Sequence, residues 1–173
     1  MTHNLFDEVA TKAAQLLPDA RFETIEDVAS VPAHLPTQPL DGWHDWPTPS
    51  DFGALRVLYQ PPAEAAGFAP NITFTALHVE TQNIDVADLI AIVDLSFSLT
   101  GAITVTNRHT RVVGSATRIN TLASSALGRT PLRIISCHYA STSGSGGQIY
   151  GSTATVPKGH PLDSLPLILK PIE

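Results

Sequence analysis

Seven histidines and one cysteine are the residues of this chain best suited to chemistry, and their spacing decides how far that goes. His3, His34, His44, His78, His109, His138 and His160 contain no His-Glu-x-x-His, and no two stand four apart, so a helical zinc site has nowhere to start. His78 and His138 fall in strand-like stretches, each on a face shared with apolar residues. They could meet across a sheet to hold a metal, or one could act as a general base; the plainer reading is a histidine hydrogen-bonded at a core edge. Cys137 precedes His138 directly, and strand neighbours alternate between faces, which makes a cysteine–histidine dyad geometrically poor. A single cysteine also leaves no internal disulfide and no cysteine-based metal site. Neither metal nor cofactor is expected.

Other motifs give less. Ser143-Gly144-Ser145-Gly146-Gly147 is glycine-rich, but it has no lysine and a strand pattern follows it where a phosphate loop needs a helix. It reads as a hairpin loop. No Gly-x-Ser-x-Gly is present, so a serine hydrolase has no nucleophile elbow. The acidic pairs Glu26/Asp27 and Asp41/Asp45 lie in a proline-rich stretch and read as solvated loop charges. Both tryptophans, Trp43 and Trp46, share the loop-like segment Asp41 to Trp46. Tryptophan is enriched at interface hot spots, yet a loop folding back to cap the core would use the rings equally well. Gly42 before them and Pro47 and Pro49 after them favour a compact turn, with Trp46 packed on the sheet and Trp43 nearer the rim.

Charge is split along the chain. Residues 1–94 carry fourteen acids against three bases, a net of −11, and residues 95–173 carry seven bases against two acids, a net of +5. Arg108, Arg111 and Arg129 would form a basic face for an acidic protein partner if they were exposed together; the alternative is that the acidic half folds onto the basic half. Nucleic acid is disfavoured, because the basic segment lacks interleaved aromatics and the overall charge is −6.

The elements that must position these residues follow from periodicity. Leu5, Val9, Ala13 and Leu16 recur at helical spacing and Pro18 ends the pattern, which predicts a helix over residues 1–17. Thr24 and Asp27 have capping-box spacing for a short second piece. Nine of the fourteen prolines lie between Pro18 and Pro70, so residues 18–70 should be mostly loop around one strand at Ala54 to Tyr59. Asn71 to Val79 is a strand with Ile72, Phe74 and Ala76 on one face and Thr73, Thr75 and Leu77 on the other. Asp85 then caps a helix whose stripe is Val86, Leu89, Ile90, Val93 and Phe97. Beyond Gly101 come strands at 103–107, 110–121, 132–140 and 148–156, joined too closely for parallel crossovers. The tail from Pro161 to Ile172 has room for one short helix.

With 173 residues, 43% hydrophobic and 15% charged, the chain fits a single folded domain, 1–173, whose sheet-and-helix core spans 71–156. No apolar stretch is long enough for a transmembrane helix. The fold class is α+β: one antiparallel sheet of five to seven strands with both helices packed on it.

Trp43 and Trp46 before a strand, Phe68-Ala69-Pro70-Asn71-Ile72 opening the next, Asp85-Val86-Ala87-Asp88-Leu89 opening the helix, and Gly114 in the following hairpin together resemble the actinobacterial LpqN/LpqT family. The resemblance runs from about Trp43 to Val156. It implies the curved sheet of PsbP-type and Mog-type proteins, which usually act by binding other proteins. Family members are mostly secreted lipoproteins, whereas a signal h-region and lipobox cysteine are not seen here, so a cytoplasmic location is expected. Two functions remain open. One is a non-enzymatic protein-binding domain presenting Trp43, Trp46, Arg108, Arg111 and Arg129. The other is a small-molecule-binding or enzymatic domain with a pocket between sheet and helix, lined by His78, Arg118, His138 and Tyr150.

Overall fold

A computed structural model of the chain describes residues 5–25, 33–34, 40–62, 67–98, 102–164 and 170–171. Helix α1 (Leu5–Leu16) leads into strands β1 (Arg21–Thr24), β2 (Ala33–His34), β3 (His44–Asp45) and β4 (Arg56–Tyr59), with a 3-10 turn at Pro49–Phe52. Strand β5 (Asn71–Glu80), helix α2 (Val86–Ser98) and four long strands follow: β6 (Thr104–Val113), β7 (Ala116–Leu127), β8 (Thr130–Ser143) and β9 (Gly146–Pro157). A second 3-10 turn, Pro161–Ser164, precedes β10 (Lys170–Pro171), which pairs with β2.

The main sheet is antiparallel in the order β3-β4-β5-β9-β8-β7-β6, with β1 sharing the outer edge of β5 with β4. β6 to β9 are joined by two-residue turns, and Gly114 (φ 59°) and Gly128 (φ 58°) take the left-handed backbone that such turns require. The sequence pattern placed a break at Asn107-Arg108, but the chain only bulges there, between Val105 and Asn107, and turns at Gly114. Polar residues mark both sites; only the glycine reaches positive φ without strain.

Both faces of the sheet are covered. α1 and α2 lie on one face, burying Val9, Ala13, Leu89, Ile92, Val93 and Phe97 against Leu77, Val79, Ile119, Ile134 and Ile149. Asp85 and Asp88 cap α2 reciprocally: the Asp88 amide donates to Asp85 Oδ1 at 2.9 Å and the Asp85 amide to Asp88 Oδ2 at 3.0 Å. On the far face, Leu58, Ile72, Phe74, Tyr139, Tyr150 and Val156 of the sheet pack with Trp43 and Leu162. The expected α+β architecture, two helices on an antiparallel sheet, is therefore what forms.

The proline-rich stretch holds more strand than its composition suggests. Thr24 ends β1, where it pairs with Leu77, and does not start a helix; residues 26–30, including Glu26 and Asp27, lie outside the described residues. Asp45 is no free loop charge either. It sits in β3 and accepts from Arg56 of β4, Nε to Oδ1 at 2.6 Å and Nη2 to Oδ2 at 3.0 Å, and this hydrogen bonding holds its carboxyl below the usual range.

The turn at Gly42 forms (φ 77°), closed by the Trp43 amide donating to the Leu40 carbonyl at 2.9 Å. The two tryptophans, however, take the reverse of their expected places: Trp43 is buried at 7% exposure and Trp46 is 39% exposed. Trp43 precedes β3 and drops edge-on against His160 at 6.2 Å, over the far-face core. That imidazole is fixed in turn, because its Nδ1 accepts from the Leu162 amide and its Nε2 donates to Gln60 Oε1 at 2.9 Å. Trp46 follows β3 and rests its edge on Tyr59 at 5.4 Å, on the outermost pair of strands. Trp43→Ala should therefore lower stability by about 3–5 kcal/mol, as large aromatic deletions in cores do, and Trp46→Ala by well under half of that. Urea denaturation of the two variants checks this, and equal losses would refute the assignment of Trp43 to the core.

Candidate functional site

Strand parity and register build the site. On the helix-facing side, β5 presents Thr73, Thr75 and Leu77, and β9 presents Ile149, Gly151, Thr153 and Thr155. Thr73 stands directly opposite Thr153 and Thr75 opposite Gly151. One strand over, β8 adds Ile134, Ser136 and His138, with His138 opposite Gly151 and Ser136 opposite Thr153. Threonine suits this position twice over, since its branched Cβ favours the strand while its hydroxyl keeps the floor polar.

Above the floor, α2 does not settle fully onto the strands. Between them lies a cavity of about 300 Å³, roofed by Ile92, Val93, Ser96 and Phe97 of α2 with Val9 of α1 and Ile103. The walls are mainly hydrocarbon and the floor carries Thr73, Thr75, Thr153, Thr155 and His138. This size is at the lower end of small-molecule sites.

His138 is the most perturbed group in the site. Its ring lies over Gly151: a Cβ there would come within 2.3 Å of the His138 Cδ2 and 2.7 Å of the Cys137 carbonyl oxygen, so glycine makes room for the imidazole. Phe97 meets the ring edge-on at 6.4 Å. Burial, with a smaller contribution from the Arg108 charge, pushes the imidazole down from 6.5 to about 4, and its Nδ1 is buried without a hydrogen-bond partner in the protein. At neutral pH the ring is uncharged and a poor base.

The four residues expected to line one pocket divide between the two faces. His138 lines the cavity. His78, opposite Gln148 and in phase with Ile72 and Phe74, points to the far face, so the two histidines cannot meet. Arg118 and Tyr150 are on the far face as well. Tyr150 stacks on Tyr139 at 5.2 Å, and Arg118 donates from Nε to Asn120 Oδ1 at 3.0 Å. Burial raises the Cys137 thiol and the Tyr150 phenol and pushes Tyr139 up to about 12, so this cluster stays protonated at neutral pH. Nothing there supplies a thiolate nucleophile.

The three arginines expected to form one basic face also separate. Arg108 turns toward α2 and pairs with Asp94, so at this point the acidic half does fold onto the basic half. Arg111 lies opposite Arg118 near the start of β7, and Arg129 is exposed in the turn after its end. Ten residues of strand put the last two roughly 30 Å apart. They are not one patch. Among the described residues, no three His, Cys, Asp or Glu side chains cluster closely enough to hold a metal, and no helix is long and apolar enough to cross a membrane.

Neither a protein-family profile nor a curated protein sequence matches the chain. A solved structure does: the crystal structure of LpqN of Mycobacterium tuberculosis, described as involved in cell envelope biogenesis, superposes with a TM-score of 0.63 over 83% of each chain at 11% identity. The fold is LpqN-like. At that identity the likeness extends to architecture, the one the sequence resemblance implied.

The threonine floor escaped the sequence reading, although Thr73/Thr75 and Thr153/Thr155 stand out as alternating polar positions within otherwise apolar strands. The titration of His138 has a definite sign. Its folded pKa lies below the unfolded one, so the unfolded chain takes up the proton first and stability falls as pH drops from 6.5 toward 4. Over that window the loss attributable to this residue should reach about 3 kcal/mol. Denaturation curves of wild type and His138→Phe at pH 7 and pH 4.5 measure it as the difference between their pH slopes, and parallel slopes would contradict it.

Proposed function

We propose that this protein binds a small, largely apolar, uncharged-bodied molecule in the cavity between α2 and the sheet, and works as a binding protein. The observation that carries this reading is the cavity itself: about 300 Å³ with a hydrocarbon roof above four threonines and a neutral histidine. A concave, mainly apolar space of this size with hydroxyls on its floor suits an apolar occupant with a few acceptor groups. Catalysis has weaker support. His138, with its pKa near 4, has only hydroxyls beside it in the cavity, and the Ser96 Oγ already donates to the Val93 carbonyl at 2.6 Å. The protein-binding reading draws on the absence of a catalytic motif, the family resemblance and the split charge; of its residues Trp46 is exposed, Trp43 is buried, Arg108 pairs with Asp94, and Arg111 and Arg129 stand apart, so it lacks a joint surface of the kind the cavity provides. LpqN's involvement in cell envelope biogenesis is compatible with a carrier of apolar molecules, but it is the cavity that supports the reading.

Ser96 lines the roof, so Ser96→Phe would place a ring in the space without a backbone change. Wild type should enhance the fluorescence of N-phenyl-1-naphthylamine, a neutral apolar probe. Ser96→Phe should abolish that enhancement while its melting temperature stays the same or rises. A probe that binds both proteins equally, or neither, would refute the proposal.

A further inference from the structure

The cavity floor continues beyond the cavity. The cross-strand row that begins with Thr73 and Thr153 passes to Ser136 on β8, Thr121 on β7 and Arg108 on β6, all in direct register and all on the helix side of the sheet. Neighbours in the row are one strand spacing apart, about 4.8 Å. His138 is two residues along β8 from Ser136, on the same face, so it stands where the row and the cavity meet.

The far end of this row is short of partners. Ser136 Oγ, Thr121 Oγ1, His138 Nδ1 and both Nε and Nη2 of Arg108 are buried without a hydrogen bond in the protein. Ser136 and Thr121 are 0% and 2% exposed. Asp94 on α2 takes only Nη1 of Arg108, and it is half-exposed. The remaining edge of the guanidinium, Nε with Nη2, is the fork that a carboxylate grips with two parallel hydrogen bonds. A buried donor left unmade is costly, and natural structures rarely keep several together without something that accepts from them.

We infer that the row Ser136–Thr121–Arg108 is the polar end of the ligand site and takes a carboxylate, so that the molecule held in the cavity is an alkyl or similarly apolar carboxylic acid. This rests on the cavity reading above. The carboxylate oxygens would accept from Nε and Nη2 of Arg108 and from the hydroxyls of Thr121 and Ser136, while the apolar body runs over Thr153 beneath α2. A neutral His138, held uncharged by its burial, can then donate or accept at Nδ1 according to the head group.

Two probes with the same chain separate the two readings: decanoate and decanol, titrated calorimetrically into the full chain at pH 7.5. Decanoate should bind about tenfold or more tightly than decanol, the order expected of a charge-assisted bidentate pair. Arg108→Met should remove that preference and leave decanol binding in place. The paired change Thr121→Val with Ser136→Ala should weaken decanoate several-fold while the melting temperature of the unliganded protein holds or rises, because unmet hydroxyls have been replaced by apolar groups of similar shape. If Arg108→Met does not fold, the paired variant decides, and unchanged decanoate affinity there overturns the inference. Equal affinity for the two probes in wild type also overturns it and leaves the cavity reading standing. Binding of neither probe overturns both.

Discussion

The ten-residue pairing of β5 with β9 is the contact on which the rest of this structure depends. It sits in the middle of the sheet order, it brings the chain's two halves together, and it fixes which side of each strand meets the helices. Its β9 partner is unusually small. Gly146 lets the backbone approach the Val79 carbonyl, which a Cβ would clash with, and Gly147 leaves room for the Leu89 methyls, to which a Cβ there would come within 2.8 and 2.9 Å. Gly151 then admits the His138 ring. A glycine-rich start to β9, which in sequence looks like a flexible loop, is a packing surface for α2.

Much of this was legible. α1 ends before Pro18, and α2 lies within one residue of its expected bounds because its cap and its apolar stripe agree. The face assignment of Asn71 to Val79 also held, since a period of two needs no partner to be read. What the sequence could not supply was register. His78 and His138 each sit beside apolar residues, so each reads as core-facing, but whether two strands present them to the same side depends on which residues pair. The same gap explains Tyr150 and Arg118. The tryptophans failed for a related reason: β3 is only two residues long, and whether a ring three positions away faces inward depends on where that short pairing with β4 falls.

The two faces solve the burial problem differently. On the far face the coverage is aromatic and dense: Trp43 against His160, Tyr139 stacked on Tyr150, and Leu58 and Val156 beneath them. Burial there raises the Cys137 thiol and the Tyr139 and Tyr150 phenols and keeps all three in their neutral forms. On the helix face α2 spans a floor that mixes leucine, isoleucine and valine with threonine, serine, histidine and arginine. α2 meets that floor mainly with its apolar stripe; Asp94 takes Nη1 of Arg108, and the hydroxyls of Thr121 and Ser136 are left without a partner.

That difference bears on why the cavity exists. Filling a core with hydrocarbon of the right volume is the easy route to stability, and cores tolerate many such fillings. Here four neighbouring side chains keep buried polar atoms without a partner in the protein. A domain's whole margin is about 5–15 kcal/mol, so a few groups at about 1–3 kcal/mol each are a large share of it. Isosteric apolar residues at Thr121 and Ser136 would remove that cost without disturbing either strand. Retaining the hydroxyls makes physical sense where a bound molecule accepts from them, because its binding free energy then adds to the stability of the folded state alone. The far face also keeps unmet atoms, Ser152 Oγ and His78 Nδ1; on the helix face the unmet donors of Arg108, Thr121, Ser136 and His138 stand together beside the unfilled space, and there the two are one feature.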